Sequence, residues 1–181
     1  MPRPPAARDK LLAAFEQLVL AEGERAATLD AVAGAAGVSK GGLLYHFPHR
    51  RALVDATLQR LEELLQLDLE AMAAAPEGAA RYFLVTSLFE DSQLDRALIV
   101  ASRLAQSGDE NARASLQRLG EAWYALILAD VGDPVVATAV QQMGDGLYHN
   151  ASIGLLPDGS AQRHTILENL LAVVDRLSPR S

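Results

Sequence analysis

Apolar positions along the chain recur three and four residues apart, the spacing that lines one face of a helix, and strand-like alternation is absent. Leu11, Ala14, Phe15, Leu18 and Val19 predict a first helix over about 8–22, with Gly23 stopping it. Leu29, Val32, Ala33 and Ala36 make a second, short stripe behind Thr28, and Leu43, Leu44 and Phe47 make a third behind Ser39, all expected to face inward. Thr28 and Ser39 carry hydroxyls that accept the orphan amides of a helix start. Gly37 lies between the two stripes and supplies the left-handed backbone that ends a helix without a Cβ penalty. The pattern from Thr28 to Phe47 is helix, tight turn, helix.

Leu53, Ala56, Leu61, Leu64, Leu65, Leu67 and Leu69 predict a long fourth helix after Pro48, reaching about residue 75 before Pro76, Glu77 and Gly78 end it. Further helical patterns fall at about 78–90, 94–107, 109–130, 134–154 and 161–177. Asp133 is an N-cap followed by a first-turn proline, Pro134, and the short loop from Leu156 to Ser160 joins the last two helices as an antiparallel hairpin. The expected fold is all-α, a three-helix helix-turn-helix head followed by a five-helix body. Its divisions are a flexible N-terminus at 1–7, the head at 8–51, a connecting helix at 52–75 and the body at 76–181.

Small residues give the hairpin its candidate chemistry. Ala33 and Ala36 allow two helices to cross closely, while Gly41 and Gly42 strip side chains from the first turn of the second helix, so that backbone can approach something large. In helix-turn-helix proteins that object is the DNA major groove, read by residues near the start of the second helix. The hairpin alone leaves two other readings open, ordinary helical scaffolding and an adaptor surface for another protein.

Charge changes the picture modestly. The 181 residues carry a net charge of −7, but residues 1–51 hold seven Lys and Arg against five Asp and Glu, leaving −9 on the remainder. A basic head on an acidic body is repelled from DNA except through the head. Half of the chain is hydrophobic, enough for a substantial core, and no apolar run is long enough to span a membrane. MPRPPAARDK lacks the apolar core of a signal peptide, and there are no cysteines for disulfides or thiolate metal sites. The expected setting is cytoplasmic, with no membrane partner.

The stretch GVSKGGLLYHFPHRRALV resembles the DNA-binding domain of TetR-family transcriptional repressors, and the resemblance runs from about Arg8 to Leu58. It implies phosphate and base-edge contacts at Thr28, Ser39, Lys40, Gly41, Leu43, Tyr45 and His46. One departure is visible: the family commonly has Ser-Lys-Glu after the proline, where this chain has His49, Arg50 and Arg51. The resemblance then assigns the phosphate-binding charge there to Arg50, and Arg3 and Arg8 could reach an adjacent minor groove.

The same resemblance implies a body that dimerises and senses a ligand. A homodimer would place two reading helices on a palindromic operator of double-stranded DNA. The expected seam is the last helical hairpin, through Val136, Val140, Gly144, Leu147 and Ala151, and through Ile166, Leu170, Val173, Val174 and Leu177. The alternative for these residues is intrachain core. Candidate pocket residues for a small-molecule effector are Phe83, Thr86, Phe89, Arg103, Trp123, Tyr124, Met143, Asp145, Tyr148 and His149, since sensor cavities combine apolar walls with a few orienting polar groups. MGDGLYHNASIG is similar to the matching helix of small multidrug-responsive members, which implies a broad pocket. Asp145 and His149 form an i, i+4 pair that could hold a cationic drug, or a metal if His164 or Glu168 joined them. With Ser152 nearby they are also the best case for an enzyme, but no nucleophile elbow, phosphate loop or cofactor motif accompanies them, so neither catalysis nor a cofactor is expected.

Overall fold

The computed structural model describes residues 7–157 and 159–178, all of whose regular elements are helical. The predicted flexible start and Arg3 lie outside the described residues, as does Asp158 in the last loop. Helix α1 spans Ala7–Glu22, α2 Leu29–Ala36, α3 Lys40–His46, α4 Arg50–Ala73 and α5 Ala79–Thr86. The remainder are α6 Gln93–Gln106, α7 Glu110–Val131, α8 Pro134–Ser152 and α9 Ser160–Leu177, and a 3-10 turn at Glu24–Ala26 joins α1 to α2.

Local chemistry sets most of the boundaries. Thr28 and Ser39 cap α2 and α3 by accepting from Ala31 N at 3.2 Å and Gly42 N at 3.1 Å. Gly37 ends α2 at φ 65°, a conformation that costs glycine little. Ser92 and Asp95 make a reciprocal capping box at the start of α6, and Asp133 accepts two amides of α8. Helix α5 stops at Thr86, earlier than the predicted 90, where the Thr86 and Ser87 hydroxyls donate back to carbonyls of the preceding turn.

Packing divides the chain into two compact units. The first holds the chain up to Leu65 together with Ser92–Gln117, and the second holds Gln66–Asp91 with Arg118–Ser181. The linear division at residues 51 and 75 is thus cut across: α6 and the front of α7 pack with the head, and α4 contributes residues to both units.

In the first unit, Leu11, Phe15, Val19, Val32, Leu43, Leu53 and Leu104 are buried in one core. Arg103 on α6 donates to the carbonyls of Val19 and Leu20 at 2.7 and 2.6 Å, satisfying the end of α1. Asp109 caps α7 through Ala112 N and accepts from Arg51 at 2.7 Å. Leu44, predicted to face inward, is exposed instead, and so is Leu67 of the α4 pattern, because the short α3 and the middle of α4 each bury only one stripe.

The second unit is built on α5, α8 and α9 with the ends of α4 and α7. Phe83, Leu84, Ile127, Ala137, Val140, Leu147, Leu167 and Val174 form its buried centre. A Cβ on Gly144 would fall 2.7 Å from Phe83 Cδ1 and 2.9 Å from Ser87 Oγ, so the glycine is what lets α8 lie against α5. Arg81 donates to both carboxylate oxygens of Asp175 at 2.7 and 2.8 Å, tying α5 to α9.

Candidate nucleic-acid interface and effector site

Helix α3 presents a solvent face at the start of which side chains are scarce. Lys40 is exposed and pairs at 2.9 Å with Asp30, itself exposed, a surface pair worth about 0–1 kcal/mol that a phosphate can displace. A Cβ on Gly41 would meet nothing, so the fold does not require glycine there and the position is bare surface. Gly42 differs, because its Cβ would sit 2.9 Å from Val38 Cγ1 within the turn. Tyr45 is 85% exposed, and its ring meets the half-buried His46 edge to face at 5.1 Å. Thr28 and Ser39 stand at the helix starts as caps, where the unpaired amides favour an anion.

Two expected DNA contacts take other places. Leu43 is 0% exposed and seats α3 on the core, so it has no surface to offer a groove. Arg50 turns inward: its guanidinium donates to Glu24 O at 3.0 Å and Ala27 O at 3.3 Å, pairs with the Glu24 carboxylate and lies over the Phe15 ring. It braces the turn that leads into α2. Arg51 is likewise held by Asp55 and Asp109, and His49 Nδ1 accepts from Ala52 N at the start of α4. The basic run after Pro48 is therefore spent largely on bracing the protein, with Arg50 and Arg51 still partly exposed.

The effector residues scatter more. Arg103 belongs to the first unit and is committed to the end of α1, which removes it from the predicted lining. Phe83, Phe89, Trp123, Tyr124 and Met143 share the apolar cluster of the second unit, with Phe83 against Trp123 at 5.4 Å and Phe89 against Tyr148 at 6.2 Å. Thr86 turns its hydroxyl onto its own helix. Tyr124 donates to Pro134 O at 3.4 Å. Asp145 and His149 are exposed, and among the described residues no hydrogen bond or ion pair joins them. Desolvation nevertheless raises the Asp145 carboxyl above the ordinary aspartate range. His164 and Glu168 pair with each other at 3.0 Å, and no group of three metal-ligating side chains occurs among the described residues.

Asp68 and Tyr82 were not among the candidates. The Asp68 carboxylate accepts from Trp123 Nε1 at 2.8 Å and from Tyr82 OH at 3.1 Å. In sequence Asp68 reads as one acid on the solvated side of a leucine-rich helix, and only its position opposite two ring donors sets it apart.

The expected dimer seam also needs correction. Val136, Val140, Gly144, Leu147 and Ala151 form the face of α8 that is buried inside the second unit, much of it against α5, and are not available to a partner. Val174 is buried as well, and Ile166 and Leu170 pack against the core. Val173 and Leu177 stay exposed on α9, as do Val135, Ile153 and Leu155 on and just after α8.

A buried-core hairpin whose second helix offers a bare first turn has the geometry of a helix-turn-helix. The chain belongs to the TetR family: residues 11–57 match the model of bacterial regulatory proteins of the tetR family, and residues 77–175 match the tetracyclin repressor-like C-terminal domain. Solved structures share the fold. A transcriptional regulator, SCO7518 of Streptomyces coelicolor A3(2), is 22% identical with TM-score 0.66, over 97% of this chain and 100% of its own. The multidrug binding protein EbrR, solved with malachite green, is 20% identical with TM-score 0.71, over 97% and 100%. The ketosteroid regulator KstR2 of Mycobacterium tuberculosis is 16% identical with TM-score 0.63, over 95% and 94%. No curated protein matches the chain significantly. No helix among the described residues is long and apolar enough to cross a membrane.

Proposed function

We propose that the chain is a homodimeric repressor whose α3 reads a palindromic operator and whose second unit takes a small-molecule effector that releases it. The observation that carries this reading is the exposed face Lys40, Gly41, Leu44 and Tyr45, held on a hairpin that Arg50 and Leu43 fasten from behind. Lys40 supplies phosphate charge, Gly41 lets backbone come close, and Tyr45 and His46 reach base edges or sugar. One such helix covers few base pairs, so two copies on a two-fold axis are needed for useful affinity. Their seam uses the outward sides of α8 and α9, where Val135, Ile153, Val173 and Leu177 remain uncovered.

Helices α4 and α7 each have residues in both units, which makes them covalent routes between effector and reader, and α4 is the one that follows the reading hairpin. Release requires an effector that binds one arrangement of that route better than the other. The malachite green and imidazole complexes of EbrR support an organic effector in this fold.

Operator selection from random DNA, followed by salt titration of the selected site, tests the reading. Lys40→Ala is expected to weaken binding uniformly across sequences and to reduce the log–log salt slope by about 1. Tyr45→Ala should weaken binding while leaving the melting temperature unchanged. Wild-type affinity in both variants would sink the assignment of α3 as the reader.

A further inference from the structure

Asp68 lies near the end of α4 in the second unit, between ring donors from two other helices. Trp123 Nε1 on α7 donates to one carboxylate oxygen at 2.8 Å, and Tyr82 OH on α5 donates to the other at 3.1 Å. The Trp123 ring stands against Phe83 with centroids 5.4 Å apart. Among the described residues no Lys, Arg or His forms an ion pair with Asp68. Its two partners satisfy hydrogen bonds but are neutral, so the carboxylate's charge has no cationic partner among the described residues. Tyr82 registers that charge. Its phenol is pushed up to about 12 by burial first, then by Asp68, with Glu77 adding to it.

We infer that Asp68, Tyr82 and Trp123 form the recognition point for an organic cation with an aromatic or apolar body. The inference rests on reading the second unit as the effector domain. Each of the three residues is only half-buried, so part of the cluster meets solvent. A cation brought there gains the unneutralised carboxylate and the negative faces of the rings, with indole the most favourable of these. Its apolar body gains contact with the half-buried Trp123 ring. An anion meets the opposite field, and none of Asp68's own partners is basic. Asparagine has a single acceptor oxygen, so Asp68→Asn removes the charge and one of the two bonds that clasp α4, α5 and α7.

Trp123 is the single tryptophan of the chain and sits in the site, so its fluorescence reports occupancy directly. The full-length protein, without DNA, is titrated with tetraphenylphosphonium and with tetraphenylborate, which share a shape and differ in sign of charge. The cation is expected to change Trp123 emission saturably, with the anion binding at least tenfold more weakly. Asp68→Asn should lose at least tenfold in cation affinity, while Glu70→Gln, which removes an exposed carboxylate of the same helix outside the site, should stay within threefold of wild type. Equal affinity for the two ions, no saturable response to the cation, or wild-type cation affinity in Asp68→Asn would overturn the inference. If Asp68→Asn fails to fold, the comparison of the two ions decides it alone. Operator binding is measured separately: intact DNA binding without cation binding refutes only this site, and cation binding without DNA binding refutes only the regulator reading.

Discussion

The two units of this protein treat their polar side chains in opposite ways. In the first, the arginines that a sequence reader would send to DNA are turned onto the protein: Arg50 onto Glu24 and Ala27, Arg51 onto Asp55 and Asp109, Arg103 onto the end of α1. In the second, Asp68 has only neutral partners, and Asp145 and His149 stand exposed without pairing to each other. Charge in the first unit mostly holds a shape, while the second keeps, beside the Arg81–Asp175 tie, a carboxylate with no basic partner among the described residues. A reader of DNA must present its helix without reorganising, since ordering a loose hairpin on binding would subtract from affinity. A sensor gains from the reverse arrangement, because groups already neutralised by the fold have little left to offer a ligand.

Removing a brace should therefore cost more than removing an equally polar group elsewhere. Arg50→Ala deletes two charge-assisted bonds to buried-side carbonyls and strands the Glu24 carboxylate, with an expected loss of about 2–3 kcal/mol of stability and weaker operator binding. Denaturant unfolding of the variant measures it, and no change would erase the contrast between the units. Second in size, Gly144→Ala drives a methyl into Phe83 and Ser87 and should cost about 1–3 kcal/mol through overpacking in the second unit. A neutral result would mean that α5 and α8 separate readily, and the second unit would then be softer than its buried centre suggests.

The last two expectations concern pH. Tyr82 has its phenol raised from 10.0 to about 12, so folding favours the protonated form; the associated stability is complete below pH 10 and is lost as pH rises through 12. Spectrophotometric titration should find one of the four tyrosines ionising near 12, and Tyr82→Phe should remove that step and part of the alkaline sensitivity. Glu16, in the first unit, is raised by burial against the opposing pull of Arg60, which lies 3.4 Å away. Its protonated form is the one the fold prefers, so this contribution is present in acid and fades as pH climbs above the ordinary glutamate range. Glu16→Gln should flatten that slope in melting temperature between acid and neutral pH. An unchanged slope would assign the acid dependence to other carboxyls.

The parts that were legible in the chain are those made by neighbours in sequence. Thr28 and Ser39 cap helices through amides three residues on, and Gly37 ends α2 by its own backbone conformation. Interactions of that range are written in adjacent letters. Arg50 is not, because its partners lie 23 and 26 residues earlier, and a basic residue after Pro48 reads the same whether it meets a phosphate or a carbonyl. The apolar stripe of α8 has the same ambiguity: Val136, Val140, Leu147 and Ala151 announce a buried face without saying whether their own α5 or a second chain covers it. Asp68 and Trp123, 55 residues apart, share nothing local at all.

Sequence alone determined that this protein is all-α, where its helices begin and end to within a few residues, and that Thr28 to Phe47 forms a reading hairpin of the TetR type. Periodicity and capping act over a single turn, so short-range physics sufficed. Tertiary structure alone decided which charges brace the head, which face of α8 is core, and that a carboxylate in α4 meets an indole and a phenol. Those outcomes depend on residues brought together from distant parts of the chain, where a side chain's chemistry says what it can bind and only packing says what is there.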